Sequence, residues 1–259
     1  MIHGDTVTTI FGAFAAKVLR ASSAHIEAGL RSGKLFRSFP EEIDRRITGR
    51  AANIHFAPNA DAASNLRRKD VIDTGRNTAI DGVLDTLDAA VGPVGAELRS
   101  PYGLVLLHRF EFISQPQLVR ETINALERDS PVPLVVLVDV FSGGPINEAV
   151  NALNSPKIRT NAKLDYPQFV KAMDGAEFIF TDSGGIQQEA GLLGVPTMLH
   201  RQVTESPDGM GRNIILSGWE LSKVRQFLSD YPAPRHPIDR PDKSPSDIIV
   251  NELLKRGYR

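Results

Sequence analysis

The chain has 259 residues, with 30 Lys plus Arg against 31 Asp plus Glu and no Cys. A formal net charge of −1 argues against the broad basic surface that nonspecific nucleic-acid binding requires. The missing Cys excludes disulfides, thiol nucleophiles and thiolate metal ligands. No apolar run approaches the ~20 residues needed to cross a bilayer, and the N-terminus lacks a signal-peptide pattern, so we expect a soluble cytoplasmic protein.

Short apolar runs alternate with longer amphipathic stretches, which is typical of βα units around a parallel sheet. The first strands are predicted at Met1–His3, Ala24–Glu27, Ile54–Ala57 and Val71–Asp73. The helices between and after them are predicted at Thr8–Leu19, Glu41–Ala51, Ala60–Leu66 and Thr78–Ala89. The next segment, Val91–Gly103, contains two Pro and three Gly and indicates a domain linker.

A second series of the same kind follows the linker. Its strands are predicted in YGLVLLHR, ending at His108, then at Pro133–Asp139, in EFIFTD and at Pro196–His200. Its helices are predicted at Gln115–Glu127, Ile146–Leu153 and Tyr166–Met173, in GGIQQEAGLLG and, last, at Ser246–Lys255. The first series opens directly on a strand and has only four strands, so we expect an incomplete first domain.

The strongest local signal is TDSGGIQQEA, Thr181–Ala190. An apolar strand leads into Asp182, after which the Ser-Gly-Gly of residues 183–185 opens a helix. The free N–H groups and positive end of that helix form an anion site, and glycines let a phosphate approach the backbone. Further along the helix, Glu189 can accept hydrogen bonds from a ribose diol. The alternative interpretation is an ordinary βα turn with a Ser N-cap.

The first series carries a set of carboxylates. Asp5 in HGDT and Glu27 in HIEAGLR each fall at the C-terminal end of a predicted strand, and Glu41 with Glu42 follows in FPEEIDRR. Ligands of open α/β sheets gather at those strand ends, and clustered carboxylates raise one another's pKa, which suits proton transfer. Helix capping by Asp5 and first-turn dipole pairing by the glutamates are the alternatives.

The second series adds further candidates. His108 can exchange protons near neutral pH, and Arg109 can bind a phosphate bidentately; a satisfied His at a strand end is the alternative. Phe169, on an amphipathic helix, is a core residue unless a base stacks on it. The polar, Gly-rich tract Arg201–Asn213 suits a loop over a sugar or phosphate. No His, Asp or Glu spacing in the sequence resembles a metal site.

In chain order, these segments resemble the non-hydrolysing UDP-N-acetylglucosamine 2-epimerases. The resemblance covers nearly the whole chain and is carried by HGDTVTT, HIEAGLRS, FPEEIDRRITGRAANIHFAPN, TGRNTAID, LHRFE, LDYPQFVKAM, TDSGGIQQEAGLLGVP and HRQVTESPDG. It implies an α/β fold of two Rossmann-like domains in a glycosyltransferase-B-like arrangement, the first incomplete. We therefore expect a partial first domain at 1–92, a nucleotide-binding domain at 93–240 and a C-terminal helix at 241–259 that packs back toward the first domain.

The resemblance also implies an activity. In this family a proton leaves C2 of the sugar, UDP is eliminated to give a glycal, and UDP adds back after reprotonation on the other face, without a cofactor or a metal. The positions that match the catalytic ones are Asp5, Glu27, Glu41 and His108. The positions that match substrate contacts are Arg109, Ser183, Gly184 and Gly185 for the diphosphate, Glu189 for the ribose, Phe169 for the uracil, and Arg201, Thr204 and Glu205 for the closing loop.

Three departures from the family pattern stand against simple transfer. The family begins with a strand and a Gly-Thr-Arg-Pro-Glu loop ahead of HGDT, which this chain lacks, so we expect the 259-residue chain by itself to have little or no epimerase activity. TERPE becomes TESPD, with Ser206 for Arg, and HRxEN becomes HRFEF, with Phe112 for Asn. VDVFSGG replaces a histidine-containing segment. The expected ligand is a UDP-sugar, with no nucleic acid or membrane partner, while a homodimer, a hydrolysing 2-epimerase or related UDP-sugar enzyme, and a non-catalytic nucleotide-sugar-binding remnant stay open.

Overall fold

Apolar strands separated by amphipathic helices build two parallel sheets, one in each of two units of the chain. The computed structural model describes residues 1–31, 41–66, 70–89, 95, 98, 101–140 and 142–258. Unit 1 comprises Met1–Gly82 with Pro241–Arg259, and unit 2 comprises Val83–Arg240. The expected boundary at 92/93 lies outside the described residues, and the expected domain limits stay predictions.

The strands are β1 (Ile2–His3), β2 (Ala24–Ile26), β3 (Ile54–Ala57), β4 (Val71–Asp73), β5 (Gly103–Leu106), β6 (Leu134–Val138), β7 (Ile158–Ala162), β8 (Phe178–Thr181), β9 (Thr197–Leu199) and β10 (Ile214–Leu216). The helices are α1 (Val7–Val18), α2 (Glu41–Ala51), α3 (Ala60–Ser64), α4 (Ala79–Asp88), α5 (Phe110–Ile113), α6 (Pro116–Asp129), α7 (Gly143–Leu153), α8 (Tyr166–Asp174), α9 (Gly184–Leu193), α10 (Leu221–Asp230) and α11 (Pro245–Lys255). None of the described helices is both long and apolar enough to cross a bilayer.

The sheet of unit 1 has the strand order β1-β2-β3-β4, and every pairing is parallel. Its buried Ile54 and Phe56 pack against Ile249 of α11, so the last helix of the chain belongs to the core of this unit. Because the strands are parallel, their carboxyl ends share one edge. Residues that follow β1 and β2 are therefore brought together there.

The sheet of unit 2 has the order β10-β9-β8-β5-β6-β7 and is also parallel throughout. Both its central strands, β5 and β8, are buried along their whole length, as continuous apolar runs require in a parallel sheet covered on both faces. The chain winds outward in opposite directions from β5 and β8. Their carboxyl ends are therefore the topological switch point, where ligands of open α/β sheets bind.

The predicted α/β class with parallel sheets is confirmed. Two edge strands, β7 and β10, and two helices, α5 and α10, are present in addition to the predicted elements. The strand expected to end at His108 ends at Leu106, which leaves His108 in the segment after the strand. That segment and the turn after β8 carry most of the candidate residues of unit 2.

Candidate functional site

The turn between β8 and α9 has the geometry of an anion site. Ser183 is the N-cap of α9, and its Oγ accepts from the Ile186 N–H at 3.5 Å. The hydroxyl proton remains available to donate. Gly184 and Gly185 occupy the first turn of a ten-residue helix, where N–H groups have no helical partner and the helix dipole is positive. The structure confirms the Ser183 N-cap, while the anion site at the same turn stays a prediction.

Glu189 lies farther along the same helix and is nearly buried, with 9% of its surface exposed. Its Oε1 accepts a hydrogen bond of 3.0 Å from the Tyr166 hydroxyl of α8. Burial raises the pKa of the Glu189 carboxyl to about 7, although the bond from Tyr166 opposes that shift. A carboxylate fixed in this way can accept hydrogen bonds from neighbouring hydroxyls of a ligand.

A cavity of about 380 Å³ opens above this turn. It is lined by Leu106, His108, Leu137, Val138, Asp139, Ser142, Lys163, Leu164, Tyr166, Phe169, Ser183, Gly185, Ile186 and Glu189. The half-buried ring of Phe169 therefore faces the same space as the anion-binding turn and Glu189. An apolar wall with a few convergent polar groups is typical of a small-molecule site.

His108 and Arg109 follow β5 and lie at the switch point, with His108 lining the cavity. The Arg109 Nη1 lies 3.4 Å from Glu111 Oε1. The backbone N–H groups of both residues donate to the carboxylate of Asp182, at the end of β8. Sequence reasoning placed Asp182 at the end of a strand but gave it no function. The available signal was its position between that strand and the Ser-Gly-Gly turn of residues 183–185.

The segment after β9 carries Arg201, Thr204 and Glu205. Arg201 Nη1 lies 3.1 Å from Glu205 Oε2, and both side chains are mostly buried. An added Cβ at Gly184 would lie 3.1 Å from Glu205 Oε1 and 3.5 Å from Arg201 Nη1, so this ion pair sits beside the start of α9. Thr204 Oγ1 donates to Gln187 Oε1 of α9 at 2.6 Å. The helix that forms the anion site therefore also holds the loop.

Two residues at which the sequence departs from the resemblance are buried in the structure. Phe112, where the family has Asn, is fully buried and packs edge-on against His200 with ring centroids 5.2 Å apart. Ser206, where the family has Arg, is buried and donates to Asp208 Oδ2 at 2.5 Å. Gln187 Nε2 donates to the backbone carbonyls of both Ser206 and Asp208, which fixes this stretch of the loop to α9.

In unit 1, the carboxylates lie at the shared strand edge and the start of α2. Asp5, just after β1, forms an ion pair with the buried Arg45 of α2. Asp44, which sequence reasoning did not select, is buried beside them. Burial raises its pKa, and the charges of Asp5 and Glu41 raise it further. The charges of Asp5 and Glu41 are therefore close enough to Asp44 to affect its ionisation.

Glu27 follows β2 and adopts a left-handed backbone conformation, with φ of 64°. This conformation is uncommon for a residue with a side chain and is found at functional turns. Its Oε2 lies 3.7 Å from His3 Nε2 and would lie 3.8 Å from a Cβ at Gly4. The structure thus brings Glu27 to the segment that leads into Asp5. Glu42, by contrast, is fully buried and bonded to Arg46 at 3.0 Å, which is a structural role.

The described residues include no group of three or more His, Asp or Glu side chains placed to hold a metal ion. The predicted residues of unit 2 gather around one cavity and the adjoining start of α9, and those of unit 1 lie at its strand edge.

Comparison with known proteins agrees with these motifs. Residues 1–233 match the family model described as UDP-N-acetylglucosamine 2-epimerase. The UDP-N-acetylglucosamine 2-epimerase of Bacillus subtilis is 33% identical and is covered over 73% of its length by the whole of this chain. The Salmonella typhimurium enzyme of the same name is 34% identical, and 81% of this chain covers 60% of it. The chain thus spans about three fifths to three quarters of the length of these relatives.

Solved structures give the same result. The complex of S. aureus MnaA with UDP superposes with a TM-score of 0.85 at 29% identity, covering 98% of this chain and 73% of that one. The UDP-GlcNAc 2-epimerase of Neisseria meningitidis bound to UDP-GlcNAc gives 0.84 at 29% identity, covering 98% and 75%. The chain belongs to the UDP-N-acetylglucosamine 2-epimerase family.

Proposed function

We propose that this protein interconverts UDP-N-acetylglucosamine and UDP-N-acetylmannosamine by eliminating and re-adding UDP. The observation that carries the proposal is the meeting of four groups in one cavity of unit 2: the anion-binding turn at Ser183, the Glu189 carboxylate, the Phe169 ring and His108. These groups match the phosphate, ribose, base and reacting part of a nucleotide sugar. Solved relatives that contain UDP or UDP-GlcNAc support the same ligand class.

The nucleotide contacts follow from chemistry. The first-turn N–H groups of α9 and the guanidinium of Arg109 meet the diphosphate, and Arg201, with Thr204 and Glu205, closes the loop beside it. Glu189 accepts from the ribose hydroxyls, and Phe169 stacks on uracil. These interactions also stabilise the charge that grows on UDP as its bond to C1 breaks.

Proton transfer falls to the carboxylates of unit 1 and to His108. Breaking the C1–O bond leaves positive charge at C1, which acidifies the hydrogen on C2, and its removal gives the glycal. Return of a proton to the opposite face, followed by addition of UDP at C1, gives the manno epimer. Two faces require two proton-transfer groups, and Asp5, Glu27 and Glu41 supply carboxylates for them. The product would serve as an activated N-acetylmannosamine for polysaccharide synthesis.

The test is incubation of the 259-residue protein with UDP-N-acetylglucosamine in D2O, followed by proton NMR of the anomeric region. The proposal expects UDP-N-acetylmannosamine that carries deuterium at C2. Free N-acetylmannosamine with UDP would identify a hydrolysing enzyme instead. Saturable binding of UDP without any turnover would match the expectation, drawn from the sequence, of little or no activity, and would overturn the proposal that this chain catalyses the epimerisation.

A further inference from the structure

A buried carboxylate supports the segment that carries His108. The Asp182 side chain is 1% exposed. The His108 amide nitrogen lies 3.1 Å from Asp182 Oδ1 and 3.0 Å from Oδ2, and the Arg109 amide nitrogen lies 2.9 Å from Oδ2. Two successive backbone N–H groups therefore donate to one carboxylate. That carboxylate directly follows β8 and lies 73 residues or more later in the chain.

These bonds take the place of the side-chain capping hydrogen bond that the segment lacks. Arg109 is the N-cap of the four-residue helix α5, and its side chain makes no capping hydrogen bond. Its guanidinium pairs with Glu111. The conformation of the turn thus depends on an acceptor supplied by β8, and a buried carboxylate is stable in that place only while N–H donors are directed at it.

The same residue leads directly into the anion-binding turn. Asp182 precedes Ser183, the N-cap of α9, and its own N–H donates to the Leu106 carbonyl at 3.4 Å. One residue therefore fixes the end of β5, the amides of His108 and Arg109, and the start of α9. This connection sets the separation between His108 and the anion-binding turn.

We propose that Asp182 is a positioning residue of the epimerase reaction, which holds His108 and Arg109 at a fixed place relative to the diphosphate turn. This inference rests on the proposed function. Asp182 Oδ2 accepts from both N–H groups, and Oδ1 also accepts from His108. In Asp182→Asn the NH2 group would face the His108 N–H in either orientation of the amide, which weakens this support.

The experiment compares wild type with Asp182→Asn and with a matched control, Thr197→Val. Thr197 is fully buried in β9 of unit 2, and its Oγ1 donates to the Val195 carbonyl at 2.8 Å, at the far end of α9 from Ser183, so its loss also removes a buried hydrogen bond. Three quantities are measured: turnover at saturating UDP-N-acetylglucosamine, UDP affinity by calorimetry, and amide hydrogen exchange of residues 107–110 by mass spectrometry.

We expect Asp182→Asn to lower turnover on the order of 10- to 100-fold at saturation, to abolish the amide protection of 107–110, and to change UDP affinity much less. Thr197→Val should lower stability and leave saturated turnover and that protection unchanged. Wild-type turnover in Asp182→Asn, or an equal loss of turnover in Thr197→Val, would overturn the proposal.

A second variant keeps the proposal testable if Asp182→Asn fails to fold. Asp182→Ser retains one small oxygen acceptor and room for a water, and it should fold with partial protection of 107–110 and intermediate turnover. Full protection and full turnover in Asp182→Ser would also overturn the proposal. A wild-type protein without turnover would defeat the proposed function alone, because amide protection would still report whether Asp182 holds the turn.

Discussion

A substitution at Gly185 tests the proposal that the diphosphate binds at the first turn of α9. A Cβ at Gly185 would meet only Ser183 Oγ, at 3.9 Å, so the ligand-free protein has room for a side chain there. A diphosphate on the first turn of α9 would occupy that room. We expect Gly185→Val to weaken UDP binding at least tenfold, about 1.4 kcal/mol, measured by titration calorimetry.

The chain contains its own control for this substitution. Gly144 is the second residue of α7 and follows a Ser142-Gly143 pair, just as Gly185 is the second residue of α9 and follows Ser183-Gly184. A Cβ at Gly144 meets nothing within 4 Å. Gly144→Val should leave UDP affinity unchanged. Equal affinities in the two valine variants would contradict the placement of the diphosphate.

We expect Glu189 to make the binding of nucleotide sugar depend on pH. Since burial raises its pKa to about 7, the carboxyl of the free protein gains a proton as the pH falls through neutrality. The ionised form is the better acceptor for ribose hydroxyls, so the affinity should fall about tenfold between pH 8 and pH 6. UDP-N-acetylglucosamine is the ligand to use, because its diphosphate diester keeps a constant charge over that range.

The Glu189→Gln variant separates the contribution of this carboxyl from that of other groups that line the cavity, such as His108. We expect weaker binding at pH 8 and a nearly flat dependence down to pH 6 in this variant. The same slope in wild type and Glu189→Gln would show that the pH dependence arises elsewhere.

His200, which follows β9, forms hydrogen bonds to side chains from two neighbouring segments of unit 2. Its Nδ1 lies 2.9 Å from Ser217 Oγ and its Nε2 lies 3.2 Å from Thr122 Oγ1 of α6. Its ring lies against Phe112 and Phe180. Burial lowers the pKa of His200 from 6.5 to about 3, so the folded protein holds this imidazole neutral.

Because the buried imidazole of His200 stays neutral in the folded protein, the stability falls as the pH falls. Below pH 6.5 the unfolded chain binds a proton at His200 that the folded chain does not, so stability is present above that pH and is lost toward the folded pKa. Between pH 7 and pH 5 the loss is about 2 kcal/mol. Trp219, the single Trp of the chain, donates its indole N–H to the His200 carbonyl at 3.2 Å and reports unfolding of unit 2 by fluorescence.

We expect the urea-unfolding free energy of wild type to fall about 2 kcal/mol more over this range than that of His200→Gln, which cannot titrate. The variant itself is less stable at pH 7, because its amide does not reproduce the ring packing. Parallel pH dependences in the two proteins would contradict a neutral buried imidazole.

The elements that the sequence predicts are those whose burial gives a clear pattern. β5, β6 and β8 are central strands and read as continuous apolar runs. β7 has the sequence IRTNA, and its edge position leaves polar residues half-buried or exposed, so no apolar run marks it. β10 has only three residues, including the exposed Ile215. Edge strands are specified by pairing with a neighbour, which local sequence does not show.

The candidate residues follow the same rule. Ser183 and Glu189 are predictable because a strand, a glycine pair and a helix are adjacent in sequence. Asp182 meets His108 only because β8 pairs with β5, and Asp44 meets Asp5 only because α2 packs near the end of β1. Such long-range meetings depend on strand order, which the sequence pattern left undetermined.

At the scale of the whole molecule, the candidate chemistry is divided between two parallel sheets. Unit 1 carries the carboxylates Asp5 and Glu27 at its strand edge and Glu41 at the start of α2. Unit 2 carries the anion-binding turn, Glu189 and Phe169 at its switch point. The proposed function assigns proton transfer to unit 1, with His108, and nucleotide binding to unit 2. Binding and chemistry should therefore be separable by substitution.

The most direct measurement is the exchange of the C2 hydrogen of UDP-N-acetylglucosamine with D2O, followed by NMR over a range of substrate concentrations. In Glu41→Gln we expect exchange to be lost at every concentration, with UDP affinity within about tenfold of wild type, or ~1.4 kcal/mol. In Glu189→Gln we expect exchange to recover as substrate saturates the weakened site. Retained exchange in Glu41→Gln, or loss of UDP binding in that variant, would contradict the division of function between the two units.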